Sequence, residues 1–233
     1  MELDELRRLA AKTELSLNYL AKDEEISKIL FLLQGTKNII LKGGTAVNRV
    51  YVNNQRFSED IDFDIITSLS VKQAIQETET IMHALNLYEV EKPTIMNETI
   101  RYDVRYTNPL KQRDTIRVEF TVIQHPFQYE LKIINFGYVP TKSSLHQVYT
   151  IDIILQQKIL CFLSRNEAKD FFDIFYLLDT AKVPSTSKDA LQKKLTSKHL
   201  LLVKQAEILH HFLPRSKRPD WTVFLTELTE KIS

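Results

Sequence analysis

Asp60 and Asp62 stand two residues apart in the run Asp60-Ile61-Asp62-Phe63-Asp64-Ile65-Ile66, and side chains two apart on a strand leave the same face. Two carboxylates held side by side repel unless a proton or a cation lies between them. An oxygen-only pair of this kind suits Mg²⁺ or Mn²⁺, which bind through a few carboxylates plus substrate phosphates. Upstream, Gly43 and Gly44 are adjacent in a chain with only 4 glycines. A glycine turn that opens a helix points backbone N–H groups outward, where they can hold a phosphate. Alone, a glycine pair is weak evidence, and an Asp-x-Asp on a wet strand is commonly just solvated. A phosphate-holding turn followed one helix later by an acidic strand is far more specific.

A second group of charges lies downstream. Lys158, Arg165 and Lys169 are spaced by seven and four, with Asp173 four further on; on a continuous helix these positions share a face. Lys158 sits among Ile153, Ile154, Leu155, Ile159 and Leu160, an awkward place for an ammonium without a partner. A triphosphate is one such partner. The structural alternative has Lys158 snorkelling to solvent while Arg165 and Lys169 pair with Asp170 or Asp173.

The elements that must position these groups follow from periodicity. Apolar residues at three- and four-residue intervals predict helix from about Glu2 to Leu33. Asn38 to Leu41 reads as a short buried strand ending at the glycines, and Thr45 to Val52 as the helix they open. Alternation predicts strands over 60–66, 100–106 and 115–122, the last two joined at the Asn108-Pro109 turn. Val71 to Leu87 is helical, and a short strand is expected over 129–134. From Thr150 onward the pattern is helical, broken near Pro184 and Pro214. The expected architecture is an α/β core over 37–145, with N-terminal helices over 1–36 and a helical part over 146–233.

The 233 residues are 43% hydrophobic, enough for a sizeable core. Their net charge of +1 excludes a generally basic, nucleic-acid-coating chain. Charge is nevertheless uneven: residues 182 to 218 hold nine basic residues, Lys193, Lys194 and Lys198 among them, against Asp189 and Glu207. Such a span can track a phosphate backbone or be an ordinary solvated helical surface. One cysteine, Cys161, excludes an internal disulfide framework and fits a reducing cytoplasm; it reads as packing on the buried side of its helix. His83, His125 and His146 are scattered without zinc-ligand spacing, and Trp221 reads as core. No run is long and apolar enough for a membrane span, and no leader is expected. The expectation is a soluble cytoplasmic protein.

The turn and acidic strand together resemble the DNA polymerase β-like nucleotidyltransferase superfamily. More narrowly, Lys42-Gly43-Gly44-Thr45-Ala46, Arg56-Phe57-Ser58-Glu59-Asp60-Ile61-Asp62-Phe63, Lys158 to Arg165 and Lys169-Asp170-Phe171-Phe172-Asp173 resemble the AbiEii/MenT nucleotidyltransferase toxins. Lys169 stands where that family usually has Arg. The resemblance covers about residues 40–180. It implies a polymerase β-like sheet flanked by helices and transfer of a nucleotide from an NTP, with Asp60 and Asp62 as catalytic metal ligands for Mg²⁺ or Mn²⁺. By the same token Gly43, Gly44, Thr45 and Ser58 hold the β- and γ-phosphates. Lys158 neutralises the triphosphate, with Arg56 and Arg165 assisting, and Asp173, ahead of Asp170, orients Lys158 or the nucleotide. A third carboxylate from a later strand completes such sites; Glu119 is the candidate and Asp103 the reserve, while Glu119 can equally pair with Arg117 or Arg101. Asp64 is expected to lie past the phosphate and to be structural. The acceptor implied is RNA, the tRNA 3′ end in particular, its backbone resting on the basic span, and a cognate antitoxin is an implied partner. Nucleotidylation of a protein hydroxyl and a non-catalytic nucleotide-binding module are the competing functions.

Overall fold

In the computed structural model, which describes all 233 residues, the apolar run before the glycines forms strand β1 (Ile39–Lys42) and the acidic run forms β2 (Ile61–Ile66). Ile61, Phe63 and Ile65 are fully buried, whereas Asp60 and Asp62 stay partly exposed. Burying each such large apolar side chain is worth about 1.5–3 kcal/mol. A one-residue slip would exchange them for the aspartates, so register is strongly specified. Four more strands follow after a helix, α4 (Val71–Met82): β3 (Glu89–Val90), β4 (Thr94–Met96), β5 (Thr99–Thr107) and β6 (Arg113–Ile123). Then come β7 (Tyr129–Ile134) and β8 (Ser144–Tyr149).

The strands form one sheet in the order β3-β5-β6-β2-β1-β8-β7, with β4 also on β5. β2 runs antiparallel to β1 and parallel to β6, and the latter register sets Asp62 opposite Glu119. One face is apolar: Phe63 stacks on Phe120 with ring centroids 5.6 Å apart. The other face carries Asp62, Asp64, Arg117, Glu119 and Thr121.

The N-terminal helical stretch is two helices, α1 (Leu3–Thr13) and α2 (Leu17–Leu33), rather than one. Glu14 adopts a left-handed conformation (φ 58°) that ends α1, and the Ser16 hydroxyl accepts from the Tyr19 amide to start α2. The helix after the glycines also differs from expectation. Only Gly43–Ala46, α3, is α-helical, and Val47–Tyr51 widens into a π-helical turn. Arg49 in that turn is buried and reaches α2, with Nη2 2.9 Å from Asp23 Oδ1 and Nη1 donating to Ser27 Oγ at 2.7 Å. Asp23 Oδ2 accepts from the Val139 amide at 2.8 Å. Burial pushes the Asp23 carboxyl up despite the pull of Arg49. All these elements belong to one unit, Met1–Tyr149.

The second unit, Thr150–Ser233, is helical: α5 (Ile151–Ser164), α6 (Ala168–Leu177), α7 (Ser185–Ser197), α8 (His199–Ala206) and α9 (Trp221–Ile232). Its core is aromatic, with Phe172 stacked on Phe224 at 5.6 Å and Trp221 edge-on to Phe171 at 6.4 Å. Pro184 and Pro214 both lie at helix boundaries. Cys161 is half-buried rather than on a closed face.

Candidate active site

The glycine turn works by close approach. Gly43 has φ +68°, a left-handed conformation, and a Cβ placed on it would sit 2.1 Å from Asp62 Oδ2. The space where a side chain would be is filled by a carboxylate. A Cβ on Gly44 would meet Ser58 Oγ at 2.7 Å and Arg56 Nη2 at 2.8 Å. Gly43, Gly44, Arg56, Ser58 and Asp62 are therefore brought together. Thr45 is buried, and its hydroxyl donates to the Asp60 carbonyl at 2.5 Å. That bond ties the start of α3 to the start of the acidic strand.

Asn48, from the π-helical turn, was not singled out in the sequence. Its Nδ2 donates to the Gly44 carbonyl at 2.9 Å, and its Oδ1 accepts from the Arg56 amide at 3.1 Å. One amide thus holds the glycine turn and the Arg56 loop together. Arg56 itself is 2% exposed, and its Nη1 donates to the Phe57 carbonyl. No periodicity signals such a residue, because its role depends on a turn wider than an α-helix.

The acidic groups have different partners. Asp60 is gripped by Arg117, whose Nε and Nη2 reach its two carboxylate oxygens at 2.8 and 2.9 Å. Partial burial disfavours the Arg117 charge, but the Asp60 carboxylate outweighs it and holds the guanidinium above its ordinary pKa. Arg101 pairs instead with Asp103. Glu119 hydrogen-bonds to neither arginine, though its charge also favours the Arg117 guanidinium, and it stands next to Asp62 on the adjacent strand. Asp103 lies one strand further from Asp62. Asp64 is buried, paired with Lys42, and accepts from the Tyr149 hydroxyl at 2.6 Å. Burial and that bond push the Tyr149 phenol well above its usual range.

No three His, Cys, Asp or Glu side chains come together as a closed ligand set. Asp62 and Glu119 on adjacent strands, and Asp60 just before the first of them, nonetheless offer hard oxygen donors, a chemistry that fits Mg²⁺ or Mn²⁺ and not zinc. His146 is buried, with Nε2 2.9 Å from the Leu30 carbonyl.

In the helical unit, the face-sharing argument for Lys158, Arg165 and Lys169 fails, because the helix ends at Ser164 and Arg165 is extended. Lys158 and the acids lie on different helices. The Lys158 ammonium, 8% exposed, is 2.8 Å from Asp173 Oδ2 and 3.5 Å from Asp170 Oδ1. Asp170 is fully buried and also accepts from Arg165 Nε and Nη2 at 2.8 and 3.1 Å. Those bonds hold the guanidinium far above its ordinary range. Lys169 lies over the Phe212 ring, 4.3 Å from its centroid. In the basic span, Lys194 is committed to structure: its ammonium donates to the carbonyls of Phe162, Leu163 and Arg165 at the end of α5. Lys193 and Lys198 are exposed. Trp221 is buried, and its Nε1 donates to His210.

A family model for the AbiEii nucleotidyl transferase toxins, of type IV toxin–antitoxin systems, matches residues 28–232. The chain belongs to this family. The AbiEii match takes in the glycine turn, the acidic strand and the helical acids alike, and makes the chain a nucleotidyltransferase of the toxin class. Two solved structures share the fold of this AbiEii chain. One is MenT4, a nucleotidyltransferase toxin from Mycobacterium tuberculosis, with 17% identity, a TM-score of 0.63, and coverage of 100% of this chain and 89% of that one. The other is a candidate nucleotidyltransferase from H. pylori, with 20% identity, a TM-score of 0.62, and coverage of 94% and 97%. No curated protein matches the chain in sequence. No helix is long and apolar enough to cross a membrane.

Proposed function

We propose that this AbiEii-family chain transfers a nucleotide from an NTP to an RNA hydroxyl, the 3′ end of tRNA being the acceptor, with Mg²⁺ or Mn²⁺ held by Asp60, Asp62 and Glu119. One observation carries the reading. The Asp62 carboxylate lies in the space left by the missing Gly43 side chain, while Ser58 and Arg56 close on Gly44. A phosphate grip and one of the two acids, Asp62, thereby share one spot. When bound, the divalent ion neutralises charge on the transferred phosphate and lowers the pKa of the attacking hydroxyl.

The chain's own residues do the rest. Gly43 and Gly44 let the Asp62 carboxylate, the Ser58 hydroxyl and the Arg56 guanidinium close on the turn, whose amides are assigned to the phosphate oxygens. Ser58 donates its hydroxyl, and Arg56, rigid in its pocket, supplies positive charge without having to be ordered first. Thr45 fixes Asp60 relative to the turn, and Arg117 orients the Asp60 carboxylate. Lys158, set by Asp173 and Asp170, is assigned to the triphosphate, with Arg165 assisting. The exposed Lys193 and Lys198 are assigned to the RNA backbone. Growth inhibition and relief by a cognate antitoxin follow from the toxin class.

Incubation with each labelled NTP, Mg²⁺ and either total tRNA or cell protein tests the proposal. Label is expected in tRNA, abolished by chelator, and reduced at least ~10²-fold in Asp60→Ala, Asp62→Ala and Lys158→Ala. Label in protein alone would replace RNA with a protein acceptor. NTP binding without any transfer would make the chain a binding module.

A further inference from the structure

Strand β7 ends the sheet and is paired only with β8. No other hydrogen bond within the chain takes the backbone groups of residues 129–134. Edge strands are normally blunted by shortness, proline, a bulge, an inward charge or charged edge side chains, and here the two charges, Glu130 and Lys132, neutralise each other. This one is six residues long, Tyr-Glu-Leu-Lys-Ile-Ile, without proline. Its outward apolar residues are openly exposed, Leu131 at 63% and Ile133 at 62%, with Tyr129 beside them. Leu145 on β8, opposite Ile133 in register, extends the same face, and Phe127 and Phe136 flank it. These six account for a large share of the chain's fifteen exposed large hydrophobics, which makes the patch a surface feature in need of a partner.

The charges on the other face say which partner. Glu130 and Lys132 stand either side of Leu131 and pair with each other at 2.9 Å. From Tyr129 to Ile133 the strand reads apolar, acid, apolar, base, apolar. Reversed, the pattern keeps its apolar positions and exchanges acid for base. Two copies laid antiparallel about Leu131 therefore place Glu130 opposite Lys132 in both halves, Tyr129 opposite Ile133, and Leu131 opposite itself. Shifting the register by two in either direction would set Glu130 against Glu130 or Lys132 against Lys132. Directly opposed unlike charges stabilise a strand pair and like charges destabilise it.

We propose that a second copy of this chain docks on β7, giving a two-fold dimer whose sheet runs on through antiparallel β7–β7 pairing. The proposal stands independently of the transfer chemistry. It is tested by light scattering and sedimentation of the full chain over a dilution series. The wild type is expected to dimerise, while Glu130→Lys and Lys132→Glu, each alone, weaken the dimer at least about tenfold. An equimolar mixture of the two variants should recover it, because each lysine then faces a glutamate of the other copy. The within-strand pair is broken in both variants, so recovery on mixing arises only across the two copies. Leu131→Thr, which keeps a good strand former, should weaken association while matching the wild-type melting temperature at dilutions where both are monomeric. A wild type that stays monomeric throughout, a dimer indifferent to both charge reversals, or a mixture that fails to recover would overturn the proposal.

Discussion

Replacing Gly43 with alanine isolates the contact on which the site rests. The residue sits at φ +68°, where an L side chain costs roughly 1–2 kcal/mol. In a chain of this size each kcal/mol lowers the melting temperature by about 2–4 °C, so a fall of about 2–8 °C is expected. The larger effect is on chemistry. The new methyl would lie 2.1 Å from Asp62 Oδ2, where ordinary contact begins at 3.4 Å, so the carboxylate must retreat by more than 1 Å. A misplacement of that size costs about 10²-fold in rate. Gly44→Ala provides the contrast. Its Cβ meets the Ser58 hydroxyl at 2.7 Å and Arg56 Nη2 at 2.8 Å and needs no left-handed backbone. It should displace the buried Arg56 and the Ser58 hydroxyl, and so raise the KM for NTP with less effect on kcat. Thermal melting together with steady-state transfer against NTP concentration separates the two. Gly43→Ala retaining activity within about threefold would refute the idea that the turn and Asp62 form one unit.

Three further outcomes follow from the helical unit and the sheet. Lys194→Met should lower the melting temperature by about 2–4 °C, since about 1 kcal/mol of charged capping at the end of α5 is lost. Lys193→Gln and Lys198→Gln should leave melting unchanged and instead reduce the salt slope of tRNA binding by about 0.7 per lost phosphate contact. His146 is held neutral by burial, with a pKa below the usual 6.5 despite its bond to the Leu30 carbonyl. Below that ordinary value the unfolded chain takes up a proton that the fold refuses, so stability should fall as pH drops from 6.5 toward the lowered value. Melting curves across that range should steepen this loss in the wild type relative to His146→Asn.

Much of the fold was legible because one-sided burial writes itself as alternation. The strands over 100–106 and 115–122 and the acidic strand lie where period two puts them. The breaks were harder to see. Glu14 turns left-handed without being glycine, and the end of α5 at Ser164 carries neither glycine nor proline. Its carbonyls are satisfied instead by Lys194, some thirty residues away. The π-helical turn was equally hidden, since a single wide turn leaves the three-to-four spacing almost intact. At the site, residue types announced the acids and the glycines. Partner choice did not follow, because Arg117 finds Asp60 only once β6 is known to lie parallel to β2.

Asp64 shows what a repeated motif can conceal. It shares its spacing with Asp60 and Asp62, yet Lys42 from β1 and the Tyr149 hydroxyl from β8 both seize it. The third acid is a rivet through three strands, and the two in front of it can keep their aim because it is not available to join them.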